Sequence, residues 1–121
     1  MQQKMEKMNA FFAERIAVCE EREQALSVDG RRDEANFEKV RANIYDVFRT
    51  VLAVAVKTQA DEAGARAFFA QKLEQIPKGW QAAYEAARQH GDAARMPIEE
   101  IKLSAAAEIQ AFFEQVWGKA E

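Results

Sequence analysis

A chain of 121 residues makes one domain, and its 49% apolar and 31% charged residues exclude both a disordered tail and a membrane protein. Five Gly, two Pro and one Cys, beside a heavy load of Ala, Glu, Gln, Lys and Arg, exclude collagen-like chains, disulfide scaffolds and turn-rich all-β folds, which leaves helices. The net charge of -3 is spread evenly, ten basic and ten acidic residues up to residue 60 and seven against ten after it, so nucleic acid is not an expected partner.

From Gln2 to about Val28 the apolar residues Met5, Met8, Phe12, Ile16, Cys19 and Leu26 advance by three, four or seven, which predicts a first helix. Asp29-Gly30 is a turn signal, and Asp33 suits the start of a second helix. That helix carries Phe37, Val40, Ile44, Val47, Phe48, Val51 and Ala55 on one face and continues to about Lys57. Its run Val51 to Val56 could serve a strand, but the flanks keep helical spacing, and the run is far too short to span a bilayer.

Thr58 with Asp61 resembles a capping box, so a third helix is expected from there to Ile76, where Pro77 stops or kinks it. Pro77-Lys78-Gly79 can restart a short fourth helix, Trp80 to His90, ended by Gly91. Pro97 suits a first helical position, and a fifth helix with Glu99 and Glu100 at its positive end runs to about Trp117 and Gly118. The expected architecture is an all-α, antiparallel up-down four-helix bundle whose third arm is broken into two helices near Pro77.

The start, Met1 to Asn9, has two lysines, but Glu14 and Arg15 interrupt the stretch that would have to serve for export, so a cytoplasmic address is expected. A single Cys19 fits a reducing compartment. No Glu-x-x-His pair accompanies the one histidine, His90, and Cys19 stands beside Glu20 and Glu21, which disfavour a thiolate. Neither a metal, a cofactor nor a catalytic constellation is expected. Three similar segments, Ala10 to Ala13, Ala67 to Ala70 and Ala111 to Glu114, each contain a Phe-Phe pair. Their unequal spacing marks a recurring amphipathic pattern rather than a repeat.

Helical wheels place three charges among apolar residues. Glu23 falls in line with Met5, Ile16 and Cys19; Arg41 falls between Phe48 and Leu52; Lys102 shares an arc with Ile98, Ala105, Ile109 and Phe113. In an up-down bundle these would meet at one pole, about 7 to 16 Å from its end, with Tyr84 and Arg88 nearby. A cationic pocket of Glu23, Arg41, Tyr84, Arg88 and Lys102 would suit a small anion.

The second helix also has an apolar arc of about 200°, from Val54 at one margin to Tyr45 and Val56 at the other, where one packed face needs little more than 100°. Tyr45, Leu52 and Val56 are therefore the expected contact residues of a homodimer. Association with itself or with another protein, without catalysis, is the expected function. A sensor or carrier of a small anionic ligand is the alternative.

Overall fold

A computed structural model describes residues 2–118. Among them the chain is all helical, with no strand: α1 (Gln2–Val28), α2 (Arg32–Thr58), α3 (Glu62–Gln89) and α4 (Arg95–Trp117). No helix among the described residues is long and apolar enough to cross a membrane.

Local chemistry accounts for the turns. Gly30 and Gly91 both take positive φ, 76° and 69°, and the residue after each donates a backbone hydrogen bond back over the helix end. Arg31 N–H reaches Leu26 O at 2.9 Å, and Asp92 N–H reaches Ala87 O at 2.8 Å. This pattern satisfies carbonyls that a helix terminus otherwise leaves open, and it needs a left-handed residue that glycine supplies without strain. Between α2 and α3 the cap is Asp61, extended at φ -146°, whose carboxylate accepts from Gly64 N–H at 2.8 Å. Thr58 is not part of that cap: its hydroxyl donates to Val54 O at 2.8 Å, inside α2. Asp33 and Glu34 open α2 and Lys57 closes it, each favourably placed against the helix dipole.

The third arm is a correction. The break expected near Pro77 is absent, and α3 continues from Glu62 to Gln89 with the proline inside it. Pro77 has no N–H for the carbonyl of Leu73, a defect that in isolation costs about 3 kcal/mol. Leu73 and Ile76 before it and Trp80 after it all pack into the same core. Burying such side chains is worth about 1.5 to 3 kcal/mol each, so tertiary packing outweighs the local penalty. The helix expected to begin at Pro97 begins two residues earlier, at Arg95, and Asp92 accepts the Arg95 N–H at 3.1 Å. Pro97 still lies in the first turn, where a missing donor costs nothing.

The core joins all four helices through aromatic rings. Phe11 stacks on Phe112 at 4.3 Å between ring centres and meets Tyr45 edge-on at 6.1 Å. Phe48 meets Phe69 and Trp80, each at 6.2 Å, and Phe69 leads through Phe113 to Trp117. α2 packs against each of the other three helices, whereas no Cα atoms of α1 and α3 approach within 8 Å among the described residues. Large buried side chains are unevenly spread along the helices. Past Cys19 in α1 and before Ile44 in α2 the only buried residue is Ala35; past Leu73 in α3 and before Ala105 in α4 the buried residues are Ala87 and Glu99.

Candidate functional site

The residues expected to form one polar pocket are distributed among separate pairs. Glu23 Oε1 lies 3.6 Å from Lys39 Nζ, between α1 and α2. Arg88 bonds Glu85 within α3, Nη2 to Oε2 at 2.8 Å. Tyr84 meets Glu100 across α3 and α4, and its phenol pKa is raised first by the hydrogen bond to that carboxylate, then by burial. Lys102 turns to Glu99, its Nζ 3.1 Å from Oε2 and within hydrogen-bond geometry of Oε1 at 3.4 Å. The physical reason is the packing: a wheel gives the direction of a charge on its own helix and not the neighbour it meets, and Glu23 meets Lys39 of α2 whereas Tyr84 and Arg88 of α3 meet Glu100 and Glu85.

Glu99 is the acid the wheels missed. It is 1% exposed, although its place in the first turns of α4 reads as dipole complementation at a surface. The signal was present: Glu99, Ala106 and Phe113 are spaced by sevens, and the other two are core residues.

Arg41, the fifth expected residue, belongs to a different site. It lines a cleft of about 200 Å³ between α1, α2 and α4 with Arg15, Cys19, Arg22, Glu38, Tyr45 and Glu108. Each helix contributes by simple periodicity. Arg15, Cys19 and Arg22 recur at four and three along α1, and Glu38, Arg41 and Tyr45 at three and four along α2, so each set shares a face. Glu108 of α4 accepts from the Tyr45 hydroxyl at 3.0 Å through Oε2 and takes the Arg15 guanidinium on Oε1. Arg15 also lies over the Phe11 ring, 5.0 Å from its centre. Arg22 Nη1 stands 4.0 Å from Glu38 Oε1.

The cleft's two weak acids are held protonated. Burial pushes the Tyr45 phenol up to about 12, reinforced by the charge of Glu108 and by the hydrogen bond to it, and opposed by Arg41. Burial likewise pushes the Cys19 thiol up to about 11, reinforced by the charge of Glu38 and opposed by Arg41. A thiol so placed is a poor nucleophile. Among the described residues no three His, Cys, Asp or Glu side chains gather closely enough to hold a metal ion.

The expected dimer contacts also need correction. Tyr45 and Leu52 are each 1% exposed, covered within the chain, and present no surface to a partner; Val56 is half-buried. α1 and α4 close over the Tyr45 margin of the α2 arc through Phe11 and Glu108. The opposite margin stays open, with Val54 40% exposed. There a groove of about 540 Å³ runs between α2 and α3, lined by Thr50, Val51, Val54, Phe68, Lys72, Gln75 and Ile76. Phe68 is the outer ring of its Phe-Phe pair, while Phe69 is in the core.

The chain matches no family model, no curated protein and no solved structure. Its reading rests on these two surfaces, one polar and one apolar.

Proposed function

We propose that the protein is a non-catalytic helical bundle acting by association, and that a second copy of the chain covers the groove between α2 and α3. The observation that carries this reading is the groove itself, walled by Val51, Val54, Phe68 and Ile76. Apolar walls inside a polar rim, here Thr50 and Gln75, are the anatomy of a protein contact. Lys72 is the one charged residue of its lining and lies over the Phe68 ring, 5.6 Å from its centre. A lining so poor in charge offers nothing to nucleic acid or to an anionic membrane surface. Its chemistry matches itself, and two-fold pairing lets one face serve both copies.

The same reading includes the course of the chain and its setting. Phe11 with Tyr45 and Glu23 with Lys39 pair α1 to α2 with residue numbers rising on one and falling on the other, as do Phe69 with Phe113 and Tyr84 with Glu100 for α3 and α4. These pairs support an up-down-up-down antiparallel bundle. The buried Cys19 thiol suits a reducing cytoplasm.

Sedimentation equilibrium tests the association. The wild type is expected to be a dimer at micromolar concentration, and Val54→Lys with Gln75→Lys, both at exposed positions, is expected to yield a monomer with unchanged far-UV circular dichroism. A wild type that stays monomeric at high micromolar concentration would overturn the homodimer and turn the groove toward a different protein partner.

A further inference from the structure

The cleft between α1, α2 and α4 contains a guanidinium that meets the Tyr45 phenol but no carboxylate, and a buried carboxylate oxygen that accepts no hydrogen bond. Arg15 is occupied by Glu108, and Arg22 stands at 4.0 Å from Glu38. Arg41, half-buried between them, has no carboxylate oxygen within 4.0 Å among the described residues. Across the same cleft Glu38 Oε2 is buried and accepts no hydrogen bond. Buried polar atoms are nearly always satisfied, so an open carboxylate oxygen in the same cavity as a half-buried guanidinium that no carboxylate neutralises calls for an explanation.

Charge and size narrow the class of ligand. Three arginines against two glutamates leave the cleft one positive charge in excess. A volume of about 200 Å³ is below the range of roughly 300 to 1,000 Å³ that drug-sized ligands occupy. A guanidinium fork matches a carboxylate bidentately, whereas Glu38 Oε2 needs a hydrogen-bond donor and repels a second anionic group. Inorganic phosphate supplies excess charge and faces Glu38 mainly with acceptors. Acetate supplies the carboxylate and no donor.

We propose that this cleft binds a small hydroxycarboxylate, its carboxylate on Arg41 and its hydroxyl donating to Glu38. One bound monoanion neutralises the excess charge and satisfies both open groups. This site is independent of the association proposed above, because the α2 residues that line it lie at the opposite margin of that helix from Val54.

The probes are glycolate, L-lactate, acetate and inorganic phosphate, titrated into the ¹⁵N-labelled protein and followed by amide chemical shifts. Glycolate or L-lactate is expected to give saturable shifts centred on Cys19, Arg41 and Tyr45, with acetate and phosphate each at least about tenfold weaker. Arg41→Met takes no ion-pair partner from any carboxylate, and the Tyr45 hydroxyl keeps Glu108 as its acceptor, so the fold is expected to persist while hydroxycarboxylate binding falls about tenfold or more. Glu38→Met, which removes the acceptor, is expected to erase the preference over acetate. The proposal is overturned if the wild type shows no saturable shift with either hydroxycarboxylate, if acetate or phosphate binds equally well, or if folded Arg41→Met binds as the wild type does.

Discussion

Tyr45 of α2 donates its hydroxyl to one oxygen of Glu108 on α4 at 3.0 Å, while the other oxygen of that carboxylate takes Arg15 of α1, so a single acid ties three helices together. Glu108→Leu removes the acceptor from a phenol that is 1% exposed and leaves its buried O–H with nothing to donate to. The expected cost is about 1 to 3 kcal/mol, since Arg15, with its side chain 39% exposed, can turn to water. Adding Tyr45→Phe is expected to recover part of that loss. Urea unfolding of the two single variants and the double variant gives the coupling, and strictly additive costs would contradict the tie.

Lys102 and Glu99 form the second buried polar contact, and here the burden falls on the acid, whose side chain is 2% exposed against 26% for the lysine. Lys102→Met is expected to destabilise the fold by about 3 to 5 kcal/mol by leaving a buried carboxylate without a cation. Lys102→Met with Glu99→Leu is expected to be markedly more stable than Lys102→Met alone. Thermal unfolding that ranks the two variants the other way would show that Glu99 draws its support from elsewhere.

The raised pKa values of Tyr45 and Cys19 give the stability a definite dependence on alkaline pH. Both groups are held in their protonated forms by the fold, so their contribution is complete below their ordinary values of 10.0 and 9.0. It is lost as pH rises through about 12 for Tyr45 and about 11 for Cys19. Urea midpoints measured across that window are expected to fall. In Tyr45→Phe the portion of the fall above pH 10.0 should shrink; an unchanged profile would mean that other groups carry it.

Pro77 lies inside α3 without the hydrogen bond that any other residue would make there. Pro77→Ala is therefore expected to stabilise the protein, by up to about 3 kcal/mol, with no change in helical content beyond the local turn. A loss of stability would show that the proline ring itself contributes packing, since Pro77 is half-buried.

The helices were legible in the sequence because a period of three and four residues is a property of each segment alone. Phe12, Ile44, Phe48, Phe69 and Ile109 are in the core where that period places them. What a single wheel cannot give is the neighbour a face will meet. Arg41 was recognisable as a charge among apolar residues, but its companions Arg15 and Glu108 sit on other helices and looked like ordinary surface charges. Their one signal was position: Arg15 lies four residues after Phe11, and Glu108 four before Phe112, beneath stacked rings. The excess width of the α2 arc was also legible, whereas the margin left open depended on where α1 and α4 docked. Pro77 misled for the same reason, because the force that keeps α3 whole is tertiary.

The uneven spread of large side chains along the helices sets an order of local opening. Among the described residues the buried side chains next to the Gly30 and Gly91 turns are Ala35, Ala87 and Glu99, with Phe37, Val40, Tyr84 and Ile98 half-buried, whereas Met8, Phe12, Phe48, Leu52, Phe69 and Ile109 hold the remainder. Fraying of the ends of α1 and α3 and the beginnings of α2 and α4 uncovers less apolar area than opening the aromatic core, so these segments are expected to exchange their amides faster. Native-state hydrogen exchange is therefore expected to be faster around Glu23, Tyr84 and Lys102 than around Tyr45. The cleft around Arg41 lies on the boundary between the two, its Tyr45 side within the buried core and its Glu38 side on the half-buried end.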